Sequence, residues 1–262
     1  AEPSGARSTI MARLALEAGI PPGVFNVLHG YGPNSVGSAL TEDPRVDRIT
    51  FTGESGTGRI ITGAAAKNLT PVSLELGGKS PNIVFADADL DAAAEGAAFG
   101  IFYNMGSSIA AFASAQKVGN GLDEGTDIGP LVTAEQRERV EGYLRLGEQE
   151  GARLLAGGGR LSEGALARGN FVAPTVFGAA RNEMRISQEE IFGPVVSVIP
   201  FRDVEDVLSA ANGVSYGLAA GIWTNDIRKA HRLAAAIKAG TVWVNTYGPL
   251  DPASPFGGFK ES

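Results

Sequence analysis

Hydrophobic positions along the first third of the chain alternate between helical and strand-like spacing. Residues 8–18 place Ile10, Leu14 and Ala18 one helical turn apart, and Gly19 with Pro21 and Pro22 beyond it supplies a stop. Residues 24–28 form a short apolar run ending at Gly30, read as a strand, and the glycine-punctuated loop 31–37 opens a second helix that ends near Asp43 and Pro44. A strand over 46–51 leads into the turn 52–58 and a third helix. Strand, helix, strand, helix, strand is the order of a parallel, doubly wound sheet, whose ligands lie at the carboxyl ends of the strands.

The stretch 73–81 ends an apolar strand on Glu75 and follows it with Gly77 and Gly78. Residues 82–85 read as a buried strand, and a helix is predicted over 90–103, with Asp87, Asp89 and Asp91 as capping acids. A charged amphipathic helix is predicted over 134–150, then a glycine-rich stretch to 170 with a short strand and an exposed loop. Residues 171–177 carry Pro174 and read as an edge strand. Strands at 195–201, 216–223 and 240–245 alternate with helices at 203–212 and 226–238, giving a second α/β lobe.

Composition narrows the function. At 262 residues, 44% hydrophobic and 19% charged, the chain has globular composition and room for two cores. Most of its 36 glycines fall singly between apolar runs, as tight strand–helix junctions require. A net charge of -7 with no basic run argues against a nucleic-acid partner. There is no cysteine, which excludes disulfides, thiolate metal sites and a thiol nucleophile in this sequence. The Asp87, Asp89, Asp91 series starts like a calcium loop but has Ala92 and Ala98 where Gly and Glu belong, so no metal site is expected. No apolar run reaches the length of a membrane span and no signal peptide is visible, so a cytoplasmic protein without membrane contact is expected. His29 and His231 lie in no catalytic pattern.

Two glycine turns, 30–37 and 52–58, open helices at strand ends, where unpaired amides and the helix dipole suit a phosphate; neither is the G-x-G-x-x-G fingerprint. Glu54 in the second turn would repel a phosphate and reads instead as an acid favoured by the helix dipole. Glu75 on residues alone is either a salt-bridged core carboxylate or a catalytic base.

Six stretches carry a resemblance: FTG at 51–53, LELGGKSP at 74–81, EEIFGPV at 189–195, YGL at 216–218, AGTVWVN at 239–245 and PFGGFK at 255–260. In this order and spacing the chain resembles the NAD(P)-dependent aldehyde dehydrogenase superfamily, over almost its whole length. The resemblance implies that family's fold: a partial Rossmann-like cofactor lobe over 1–77 and a catalytic lobe over 78–262. It implies NAD or NADP as cofactor, a small-molecule aldehyde as substrate, and homo-oligomers of the full-length protein. In the family a cysteine thiolate attacks the aldehyde, hydride leaves for nicotinamide, and a Glu activates the hydrolytic water. By resemblance Glu75 is that base, with Leu76 and Gly77 beside the nicotinamide. Thr52 and Gly53 lie under the cofactor, Gly30 and Gly32 near its adenosine side, and Glu190 with Phe192 holds the nicotinamide ribose. A carboxylate suits two ribose hydroxyl donors. Residues 247–253 border the aldehyde tunnel and, small and apolar apart from Asp251, fit a medium-sized aliphatic or aromatic aldehyde.

The sequence departs from the family after Asn104. Ile109, or Ser108 with a one-residue gap, stands at the nucleophile, and Lys117-Val118-Gly119 follows so soon that about 25 to 30 residues near 107–116 are expected to be missing. The first strands of the cofactor lobe, its oxyanion Asn and the C-terminal interface strand have no counterpart, and Glu2 replaces an adenosine-contacting Lys. Open sheet edges would result, an aggregation hazard. Two readings follow: a portion of an aldehyde-oxidising enzyme, or a shortened nucleotide-binding or assembly-modulating member without chemistry.

Overall fold

The computed structural model describes residues 5–102 and 109–262. Ser108, and the last residue of the helix expected over 90–103, lie outside the described residues. The chain divides into two units, residues 1–75 and 76–262.

The first unit runs α1 (Gly5–Glu17), α2 (Val36–Glu42), β1 (Ile49–Thr52), α3 (Ser55–Ala66), β2 (Val72–Glu75). Strands β1 and β2 pair in parallel, from Ile49 opposite Val72 to Thr52 opposite Glu75, and α3 is the crossover that parallel pairing needs. Helix α1 ends where its stop signal stands, with Gly19 in the left-handed region at φ 90°. Its apolar stripe nevertheless stays exposed: Ile10, Met11 and Leu14 are each about half accessible. The strand expected at 24–28 does not form. Those residues join no ladder among the described residues, and Val24, Phe25 and Leu28 are exposed. An apolar run becomes a strand only where a neighbour satisfies its backbone.

The second unit begins with β3 (Asn82–Val84), α4 (Leu90–Phe102), α5 (Ile109–Ala115), α6 (Ala134–Gln149), β4 (Arg153–Ala156) and β5 (Thr175–Gly178). It continues through α7 (Arg185–Gln188), β6 (Val195–Ser197), α8 (Val204–Asn212), β7 (Tyr216–Gly217), β8 (Ala219–Trp223), α9 (Ile227–Ala236), β9 (Thr241–Val244) and β10 (Phe259–Lys260). One sheet has the order β3-β8-β9, all parallel; a second has the order β4-β5-β6, antiparallel then parallel; β7 and β10 form a small antiparallel pair. The expected strand 216–223 is therefore two strands in two sheets.

Two local expectations change. Strand β5 is central rather than an edge, with Thr175, Val176 and Phe177 fully buried; Pro174 sits just ahead of the ladder, where its missing N–H costs nothing. Asp89 caps α4, accepting from the Ala92 amide at 3.1 Å, but Asp87 turns away to Thr224 Oγ1 at 2.9 Å and Lys229 Nζ at 3.2 Å. Asp203 and Asp226 cap α8 and α9 through their side chains.

Each large sheet has its own core. Helix α6 lays Val140 and Leu144 on Val172, Phe177, Ile186 and Ile191. Helices α8 and α9 lay Val207 and Leu233 on Ile83, Ala220 and Ile222 of the parallel sheet. Gly147 lets α6 approach, since a Cβ there would lie 3.0 Å from the Phe177 ring. Phe177→Ala, at a position with no accessible surface, is expected to cost about 3–5 kcal/mol in urea unfolding.

Candidate active site

In the first unit, the register of β1 and β2 brings Thr52, Gly53 and Glu75 together at the carboxyl ends of both strands. Thr52 stands opposite Glu75, and the Gly53 amide donates to the Glu75 carbonyl at 3.0 Å. Helix α3 starts two residues later. Its N-cap residue Glu54 is exposed, and its side chain makes no capping bond, so it does not compete for the amides of the first turn. Glu75 Oε2 is buried with no hydrogen-bond partner among the described residues. A buried carboxylate oxygen left open is the opposite of the salt-bridged core reading. Gly30 and Gly32 lie in the loop ahead of α2, with Gly32 in the left-handed region at φ 72°. His29, which lies in no catalytic pattern of the sequence, is 2.9 Å from Thr9 Oγ1 through Nε2.

In the second unit, Gly77, Gly78 and Glu190 come together across 112 residues of chain. The Gly78 amide donates to Glu190 Oε1 at 3.2 Å. A Cβ on Gly77 would fall 2.7 Å from Glu190 Oε2, so only glycine leaves that oxygen its place. The Gly77 carbonyl accepts from Ser262 Oγ at 2.6 Å. Leu76, next in the chain, is half-buried. Phe192 is exposed and adopts φ 57°, a strained conformation for an aromatic residue.

What holds that loop was not legible as function in the sequence. Helix α6 presents Gln136, Arg139 and Tyr143 at helical spacing on one face. Gln136 Nε2 donates to the carbonyls of Ile191 at 3.1 Å and Phe192 at 2.7 Å, and Arg139 donates to the Glu190 carbonyl at 2.9 Å. The Tyr143 hydroxyl donates to Glu189 Oε2 at 2.7 Å. Arg185 binds the same carboxylate at 2.6 Å and holds it below its usual pKa, while burial and Glu189 push the Tyr143 hydroxyl up. The signal was the i, i+3, i+7 spacing of three long polar side chains, visible only once their target is known.

Lys79 stands in the stretch 74–81 without a role assigned from sequence. Its ammonium donates to the Ile186 carbonyl at 2.9 Å. Burial lowers its pKa to about 8, partly opposed by the Glu190 charge. Among the described residues no cluster of His, Asp or Glu could hold a metal, and no helix is long and apolar enough to cross a membrane.

Comparison with known proteins bears on the family of the chain. The model of the aldehyde dehydrogenase family matches the chain in two pieces, residues 1–112 and 107–262. DhaS of Bacillus subtilis strain 168 is 44% identical over 282 aligned positions, covering 100% of this chain and 56% of its own. The mitochondrial aldehyde dehydrogenase of Homo sapiens is 43% identical, with 100% and 54% covered. The NAD+ complex of a Bacillus cereus aldehyde dehydrogenase superposes with a TM-score of 0.90 at 43% identity, over 96% of this chain and 54% of that one. The chain thus spans little more than half the length of the relatives it matches. An alignment of 282 positions against 262 residues leaves about twenty positions of DhaS without a counterpart, fewer than the 25 to 30 expected.

Lys79 titration generates a pH signature. Because its folded pKa lies below the unfolded value, the unfolded chain binds more protons between about pH 8 and 10.4, so stability rises with pH across that window. Urea midpoints at pH 7.5 and pH 10 are expected to diverge less in Lys79→Met than in the parent.

Proposed function

We propose, from the fact that the chain belongs to the aldehyde dehydrogenase family, that it represents the portion of an NAD(P)+-dependent, aldehyde-oxidising enzyme that carries the general base and part of the cofactor site. The observation carrying this reading is Glu75: a strand-end carboxylate with one buried oxygen unpartnered among the described residues, in register with the Thr52–Gly53 turn.

Each unit, taken by itself, offers groups that suit a part of a dinucleotide. The N-terminus of α3, whose N-cap side chain makes no capping bond, offers amides and a positive dipole to a pyrophosphate. Gly53 and Gly56 add no side chain there, and exposed Glu54 stands in solvent. Glu190 uses one oxygen on the Gly78 amide and keeps Oε2 as an acceptor for a ribose hydroxyl. When bound, the nicotinamide supplies the hydride acceptor. Glu75 takes the proton of the hydrolytic water on its open oxygen, the role a positioned carboxylate performs in general base catalysis.

The covalent half of the chemistry has no residue here. The chain contains no cysteine, and a serine without a base beside it is a poor nucleophile. This favours, as a second reading, a nucleotide-binding member of the family without turnover. Homo-oligomerisation of the full-length protein belongs to the same proposal, as does a medium-sized aliphatic or aromatic aldehyde as its substrate.

Calorimetry of the chain with NAD+ and NADP+ tests binding. Saturable heat is expected with at least one of them, weakened roughly 10- to 100-fold by Glu190→Ala, the worth of a hydrogen bond to a charged group; absence of heat with both would sink the cofactor reading. No NAD+ reduction is expected with any aldehyde. Turnover that disappears in Glu75→Gln would overturn that expectation while supporting the base.

A further inference from the structure

The second unit contains a cleft of about 540 Å³ whose two long walls are sheet edges: Asn82, Ile83 and Val84 of β3 on one side, and Val195, Val196 and Ser197 of β6 on the other. Among the described residues each strand is the last in its sheet. In β3 the Pro81 carbonyl and the Phe85 amide are bonded to β8, so by alternation the backbone groups of Asn82 and Val84 point the other way. In β6 the Pro194 carbonyl and the Val198 amide are bonded to β5, so the Val195 carbonyl and both backbone groups of Ser197 point away from that sheet. The Val195 amide is already used by the Gly193 carbonyl. Val207 and Ala210 of α8 and Ala97 of α4 complete the lining. Two further lining groups, Asn82 Nδ2 and Ser187 Oγ, are buried without a partner among the described residues.

Two parallel-type edges and polar atoms that have no partner among the described residues, with apolar side chains above and below, are what the place of one strand in a larger sheet consists of. The family match falls into two pieces that overlap at residues 107–112, and about twenty positions of DhaS have no counterpart in this chain. At about 3.3 Å per residue, twenty residues suffice for a strand of ordinary length and its connections.

We propose that this cleft is a strand-accepting site, which binds an extended peptide with alternating apolar side chains by pairing with β3 and β6 at once, and that its occupant is the segment carried by relatives and lacking here. Binding fuses the β3-β8-β9 and β4-β5-β6 sheets into one. The mode is strand addition, with main-chain hydrogen bonds for affinity and the α4 and α8 side chains for selection.

The test uses the whole chain and a synthetic peptide carrying the DhaS residues that fill the unmatched positions. Amide hydrogen exchange is read with and without peptide. Saturable binding is expected to slow exchange at Val84 and Ser197 by about tenfold or more. The same peptide N-methylated at alternate residues is expected to lose both binding and protection, since it lacks the donors for one edge. No binding, equal binding of a scrambled sequence, or protection elsewhere overturns the proposal. So does protection of Val84 and Ser197 without peptide in a sample of dimeric mass, because the occupant is then a second copy of the chain. NAD+ titration in the same samples keeps this outcome separate from that of the cofactor site.

Discussion

A strand holds its place only if its backbone groups find partners, and in a parallel sheet each strand meets that demand on two sides with alternate residues. The architecture of this chain follows from where the demand is met. It is met between β1 and β2, and the resulting register fixes Glu75 beside the Thr52–Gly53 turn. It is met on both sides of β5, which is why that strand is buried although a proline precedes it. At 24–28 no neighbour is offered, and an apolar run that looks strand-like in isolation stays an exposed segment.

The same constraint separates what sequence makes legible from what it does not. Periodicity located α2, α6, α8 and α9 closely, because helices satisfy their own backbones and their boundaries are written in local caps such as Thr133, Asp203 and Asp226. Strand placement depends on partners distant in sequence, so 216–223 divided between two sheets and 171–177 moved from edge to centre. Glu75, Gly77 and Glu190 were nameable because they stand in recognisable stretches. Gln136, Arg139 and Tyr143 were not, since their function is a set of contacts to carbonyls and a carboxylate about fifty residues away.

Lys79 illustrates a different gap. Its identity was on the page, but its chemical state is set by burial, partly opposed by the Glu190 charge. Neither is a property of the local sequence. The same holds for Glu75 Oε2, whose lack of a hydrogen-bond partner among the described residues requires coordinates to see.

The face of α6 that grips residues 189–192 works as an angular ruler. One residue inserted between Gln136 and Tyr143 would turn the far part of the helix by about 100° and carry Tyr143 away from Glu189 while Gln136 kept its grip. Residues 157–170, loop apart from one short turn, carry no such phase and tolerate length change far better. Length variation in this half of the fold is therefore rationed by rotation rather than by volume: the helix is locked to whole turns because the loop it supports reads its phase.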